Sequence, residues 1–298
     1  MSPLNIKSRK EFLQDMALIA GGTLFSGSLL AACKKAPGSD IKLGLVTYLW
    51  AKDWDIPTII RNCTASGLLG VELREQHAHG VGIELSASQR AEVKKKFADS
   101  QVTLIGLGTN QQYDYVDPEQ VKASIERTKE WLKLSVDVGG SGVKVKPNEF
   151  HDEVPREKTI EQIGKSLNEL GKYALELGQQ IRLEVHGNET SKLPYIKGMM
   201  DFVENEGTKV CWNSNASDLE GQGLEYNFNL VKERFGDIAH IRELNTESYP
   251  YQQLINLFVK MDYKGWLLLE CSSKPQDTVA AMAEQKVLFD KMIKTAQG

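Results

Sequence analysis

The sequence predicts a single (β/α)8 barrel over residues 41–298. Three observations predict it. Eight short apolar runs alternate with stretches of helical periodicity. The span suits eight strand–helix pairs, which take about 250 residues. Ionisable side chains gather where the apolar runs stop, and in this fold the strand ends build one pocket.

The strands are read in order as IKLGLVTY (41–48), GVELRE (70–75), VTLIGLG (102–108), GVKVKP (142–147), IRLEVH (181–186), KVCWNS (209–214), IAHIRE (238–243) and WLLLEC (266–271). Several lack a clean period of two, as strands buried on both faces should. The stretches 119–139 and 159–178 carry apolar residues at helical spacing. They end at Gly139 and Gly178, glycine being the usual residue just past a last helical turn. Residues 275–296 form the closing helix. An open doubly wound sheet is the competing topology, but no G-x-G-x-x-G follows the first strand. GGSGVK at 139–144 precedes a strand, so it reads as a helix-to-strand turn.

The composition is that of a globular protein, 41% hydrophobic and 26% charged, with a net charge of -4. No long basic run is present, which argues against nucleic acid as a partner. The N-terminus reads differently. Lys7, Arg9 and Lys10 precede an apolar, small-residue run at 16–32, interrupted by Gly21, Gly22, Thr23 and Ser26. A basic start, a short apolar core and a small-residue end make a secretory signal. Residues 1–32 are therefore read as a lipoprotein-type signal peptide, 33–40 as a linker and 41–298 as the barrel domain. LAAC at 30–33 resembles a bacterial lipobox, in which Cys33 is lipidated and anchors the mature protein to a membrane. SRKEFL resembles a twin-arginine export signal with Lys10 in place of the second arginine, and an uncleaved signal anchor is the alternative. The expected location is outside the cytoplasm. Cys63, Cys211 and Cys271 sit in apolar segments without a C-x-x-C and read as small core hydrophobes.

Strand side chains alternate faces, so residues two apart point the same way. Glu184 and His186 form such a pair at the end of strand 5, Lys144 and Lys146 on strand 4, and His240 and Arg242 on strand 7. Strand 1 ends in Thr47, Tyr48 and Trp50, and strand 2 in Glu72 and Arg74, followed by His77 and His79. Strand 3 supplies Asn110, strand 6 Asn213 and Asn215, and strand 8 Glu270. His151 alone among the five histidines lies away from a strand end and reads as surface.

Glu184, Asn213, His240 and Glu270 offer oxygen and nitrogen donors suited to a divalent ion, Mn, Mg, Zn or Co. Two glutamates beside one ion also suit proton transfer next to a carbonyl. The alternative is a salt-bridge network joining Glu184 to Lys146 or Arg242, and Glu270 to Lys144. Arg74, His77, His79, Lys144, Lys146, His186, Asn215 and Arg242 are candidate substrate-binding residues. Trp50 and Tyr113 are candidates for stacking on a sugar. Trp212 is expected to face the helices, since Asn213 faces the pore.

GVELREQHAHGVG, RLEVHG, VCWNSNASDLEG and HIRELN, with Glu270 closing strand 8, resemble the sugar phosphate isomerase/epimerase family of xylose isomerase-like barrels, and especially an exported lipoprotein subgroup. The resemblance covers 41 to about 295. It implies metal ligands at Glu184, 213, His240 and Glu270, with the two glutamates as catalytic acid and base. Better-known members carry Asp at the position of Asn213 and often His at that of Ala216. Asn still offers a carbonyl oxygen, with less negative charge. Export implies an unphosphorylated sugar, keto-sugar or glycoside as substrate. A carbohydrate-binding lipoprotein without catalysis and a nuclease of the endonuclease branch are the competing readings.

Overall fold

The computed structural model describes residues 40–298; the expected signal segment, Cys33 and most of the linker lie outside the described residues. Eight parallel strands alternate with eight α-helices. The strands are β1 (Lys42–Val46), β2 (Gly70–Arg74), β3 (Thr103–Gln112), β4 (Gly142–Lys146), β5 (Gln180–Glu184), β6 (Thr208–Cys211), β7 (Ile238–Ile241) and β8 (Trp266–Leu269). The helices are α1 (Ile56–Ser66), α2 (Ala87–Ala98), α3 (Pro118–Val138), α4 (Arg156–Glu176), α5 (Leu193–Met200), α6 (Leu224–Val231), α7 (Tyr251–Lys260) and α8 (Thr278–Gln297).

Sequence-adjacent strands pair from β1 to β6, β8 joins β1 and β7, and two parallel bridges, Val210–Phe235 and Asn213–His240, close the ring between β6 and β7. This is a TIM barrel, and the open-sheet alternative is overturned by that closure. The β6–β7 bridge sets Asn213 and His240, from separate strands, side by side.

The helix limits have local causes. Asp117 caps α3 through the Glu119 N–H at 2.9 Å, and Gly139 ends it in the left-handed region at φ 88°. The closing helix begins at Thr278, later than expected, because the Asp277 carboxylate accepts from Ala280 N at 3.0 Å. β3 runs past its expected end because Gln112 still pairs with Lys146 after an irregularity beyond Gly108.

Two apolar regions result. Val46, Ile105, Cys211, Ile238 and Leu268 form one buried cluster, and a much larger one lies between strands and helices. Trp212 belongs to the larger cluster, packed on Phe228 and Phe235. Cys63, Cys211 and Cys271 are free and buried. Among the described residues, no helix is long and apolar enough to cross a membrane.

Candidate active site

A pocket of about 370 Å³ opens at the carboxyl ends of the strands, lined by Tyr48, Arg74, Lys146, Glu184, His186, Asn213, Asn215, Arg242 and Glu270, among others. Its floor is an ionic cluster. His240 Nδ1 lies 3.2 Å from Glu184 Oε1 and 3.8 Å from Glu270 Oε2. On the other side of the ring, His240 Nε2 lies 3.3 Å from Glu72 Oε1.

Each pocket glutamate has one oxygen held by a cation. Lys144 Nζ donates to Glu184 Oε2 at 2.8 Å, and the Arg74 guanidinium meets Glu270 Oε1 at 3.5 Å. The other oxygen of each, Glu184 Oε1 and Glu270 Oε2, is the one that approaches His240. Ion pairs do form here, but not those of the alternative salt-bridge network: Lys144 serves Glu184, and Arg74 serves Glu270. Arg74 also stacks on the Tyr48 ring at 5.1 Å, which fixes the guanidinium against the pocket wall.

Burial alone would raise the pKa of Glu184, but Lys144 and His240 outweigh it and hold the carboxyl well below its ordinary range. Burial raises Glu270, and the neighbouring Glu184 carboxylate adds to the rise. Burial would depress His240, yet Cys211 and the Glu72 and Glu184 carboxylates, which face it, hold it well above its ordinary value.

Asn213 Nδ2 donates to Glu184 Oε1 at 3.4 Å, while its Oδ1 is buried without a partner. An orphaned buried carbonyl is costly unless something takes it. It stands beside Glu184, His240 and Glu270, whose donor atoms lie within 4.8 Å of one another. These four residues therefore fit a divalent ion, with Asn213 Oδ1 as the neutral donor. Glu72, against the far ring nitrogen, fits the supporting role of a carboxylate that orients a ligating imidazole.

The remaining expected residues divide. Lys146 and Arg242 face the pocket. His186 lines it as well, with Nδ1 buried and unpartnered. Asn215 lines it too, but its amide donates to Val185 O at 2.6 Å and Asn213 O at 3.0 Å, which ties β5 to β6. His77 pairs with Thr47 Oγ1 at 3.3 Å, outside the pocket wall. His79 is buried in its loop: Nε2 donates to Arg74 O at 2.7 Å and Nδ1 accepts from Val81 N at 3.0 Å. Burial pushes its pKa down to about 4, so the ring is neutral and serves the loop. Lys144 is fully buried beneath the pocket rather than in its wall. Trp50 and Tyr113, the candidate stacking residues, are both in the core. Trp50 Nε1 donates to Ser273 O at 3.1 Å, and the Tyr113 hydroxyl bonds Thr128 Oγ1 at 2.8 Å.

Sequence reasoning left two features without a role. Glu72 shares the pore face of β2 with Arg74, so the period of two was the signal for it. His151 is half-buried rather than on the surface. It lies 3.2 Å from Asp114 Oδ2, which also accepts from Asn148 Nδ2 and Glu149 N. Asp114, Glu149 and His151 make a second group with donor atoms within 4.8 Å of one another. No spacing in the sequence joins 114 to 149–151; only the adjacency of β3 and β4 does.

The fold has many relatives among solved structures. An L-ribulose 3-epimerase superposes with a TM-score of 0.70 at 14% identity, over 86% of this chain and 96% of its own. A 3-keto-D-glucoside 4-epimerase from E. coli gives 0.67 at 14% identity, over 84% and 99%. The IolI protein with a bound zinc atom gives 0.71 at 12% identity, over 86% and 99%. Identities this low establish a shared fold. No curated protein matches the sequence significantly. The family model described as xylose isomerase-like TIM barrel matches residues 60–290. The chain belongs to the xylose isomerase-like TIM barrel family.

Proposed function

We propose that this protein is a carbohydrate isomerase, epimerase or related lyase that moves a proton at a carbon next to a carbonyl. The observation that carries the reading is the pair of glutamates, Glu184 and Glu270, each with one oxygen fixed by a cation and the other turned to His240 in the same pocket. Carboxylates from different strands can serve as base and acid on one substrate, provided each is held in place. Lys144 and Arg74 supply that hold. The activities named for the solved neighbours, epimerisation of L-ribulose and of a 3-keto-D-glucoside, are of this kind and support the reading.

Glu184, Asn213, His240 and Glu270 would hold a divalent ion, Mn, Mg, Zn or Co, which when bound supplies Lewis acidity toward a substrate carbonyl. His186, Asn215, Lys146 and Arg242 border the space a sugar would occupy. His79, bonded to the Arg74 carbonyl, positions the end of β2 that carries Arg74 toward Glu270.

The LAAC lipobox at 30–33 supports export and a lipid anchor at Cys33. Export in turn favours an unphosphorylated sugar, keto-sugar or glycoside. A carbohydrate-binding role without turnover is favoured by Asn213 and Ala216 standing where metal-dependent relatives carry Asp and His. A screen of ketoses and 3-keto-glycosides against the purified protein tests the proposal. Turnover of one class, abolished by Glu184→Gln and by Glu270→Gln, is the expected result. Tight sugar binding without turnover, with or without added Mn, would give the binding role precedence.

A further inference from the structure

We infer that the carbohydrate taken by this site carries a carboxylate, seated at the corner formed by Lys146, Arg74 and Asn110. The inference rests on the carbohydrate reading above and adds to it the chemical class of the substrate.

The cluster's charges are unevenly matched. Lys144 pairs with Glu184, Arg74 with Glu270, and His240 with Glu72. Lys146 and Arg242 remain on the pocket wall, and among the described residues neither makes an ion pair. Lys146 Nζ instead donates to Asn110 Oδ1 at 2.8 Å, and Arg74 Nη2 reaches the same atom at 3.4 Å. Two cations from strands β2 and β4 thus converge on one neutral oxygen of β3. Of the two, only Arg74 has a carboxylate within ion-pair distance, Glu270; Lys146 has the amide oxygen alone, and a dipole offsets little of a full charge. Lys146 is also half-buried, and burial together with Lys144 pushes its pKa down to about 8.

Glu75 accepts the Asn110 N–H at 2.6 Å, and Glu184 and Glu270 act on Lys146 from beyond ion-pair distance. Hydroxyls of a neutral sugar would bring dipoles to two cations that already share one. A carboxylate brings two oxygens and a full charge, one oxygen for the ammonium and one for the guanidinium. A phosphate can pair with the same two cations, but it gains further from backbone N–H groups as a cradle. At this corner those of Asn110 and Gln111 are already engaged, by Glu75 Oε1 and by Thr109 Oγ1.

Calorimetric titration of the purified full chain tests the inference. The probes are D-glucuronate and D-galacturonate, against D-glucose and D-galactose, with D-glucose 6-phosphate and citrate as other anions. The hexuronates are expected to bind at least about tenfold more tightly than the neutral hexoses, as a charge-assisted pair implies. That advantage should shrink with added salt. It should collapse in Lys146→Met and persist in Lys146→Arg, which keeps the charge. Equal affinity for hexoses and hexuronates, or no hexuronate binding, overturns the inference while leaving the carbohydrate reading to its own screen. Preference for glucose 6-phosphate over both hexuronates overturns the carboxylate. Citrate bound as tightly as the hexuronates, with no neutral sugar bound, supports the anion corner and counts against the carbohydrate reading.

Discussion

Lys144 Nζ lies 2.8 Å from Glu184 Oε2, and neither side chain is more than 1% exposed. This pair fixes the carboxylate at the centre of the site. A buried pair is costly to break, because removing one partner leaves the other charged and uncompensated. Lys144→Met is expected to lower unfolding free energy by about 3–5 kcal/mol, measured by urea denaturation. Adding Glu184→Gln to it should cost much less than the two single changes together. A loss under about 1 kcal/mol for Lys144→Met would show that the pair is not formed in solution.

Glu72 sits against the far nitrogen of His240, at 3.3 Å. If it orients the imidazole, Glu72→Gln should weaken divalent-metal binding about 10–100-fold, read by competition with a metallochromic chelator. Unchanged affinity would remove that role. The same carboxylate limits its neighbour: a Cβ at Gly108 would stand 2.7 Å from Glu72 Oε1. Gly108→Ala should therefore cost about 1–3 kcal/mol in thermal unfolding.

Asn213→Asp adds a negative charge to a donor set that holds two carboxylates. The variant should retain more Mn, Zn or Co than the parent after dialysis against a chelator, by about tenfold in dissociation constant, measured by plasma mass spectrometry. Equal retention would mean that residue 213 does not face the ion.

These relationships mark what the sequence made legible. The eight strands followed from short apolar runs, and their order from the regular alternation of those runs with helical stretches. The period of two placed Glu184, Lys146 and His240 toward one pore. Which cation meets which carboxylate did not follow: Lys144 reaches across to β5 and Arg74 across to β8, choices set by strand stagger and side-chain reach. His79 and Tyr113 read as candidates for the site because both follow strand ends. A loop that leaves the rim folds back, and these two side chains turned inward with it. His151 read as surface because the carboxylate that holds it lies on another loop.

Asp218 offers a pH test outside the ligand set. Its Oδ2 accepts from Asn215 N at 2.8 Å and from the Tyr249 hydroxyl at 2.7 Å. Burial raises its pKa from 3.8 to about 7, against those hydrogen bonds and Arg242. The folded protein thus keeps a proton that the unfolded chain releases, so this residue's contribution to stability is lost as pH rises from about 4 to 7. Asp218→Asn should remove that dependence. The melting temperature of the variant minus that of the parent should climb between roughly pH 4 and 8. A difference independent of pH would contradict the shift.

The central claim, that Glu184 and Glu270 move a proton beside a carbonyl, is tested most directly by solvent deuterium. Ketoses, 3-keto-glycosides and hexuronate-derived keto-acids would be incubated with the protein and Mn in D2O and followed by mass spectrometry. Incorporation of deuterium into one class, lost in both Glu184→Gln and Glu270→Gln, is the result the site predicts. Incorporation that persists undiminished in both variants would contradict it.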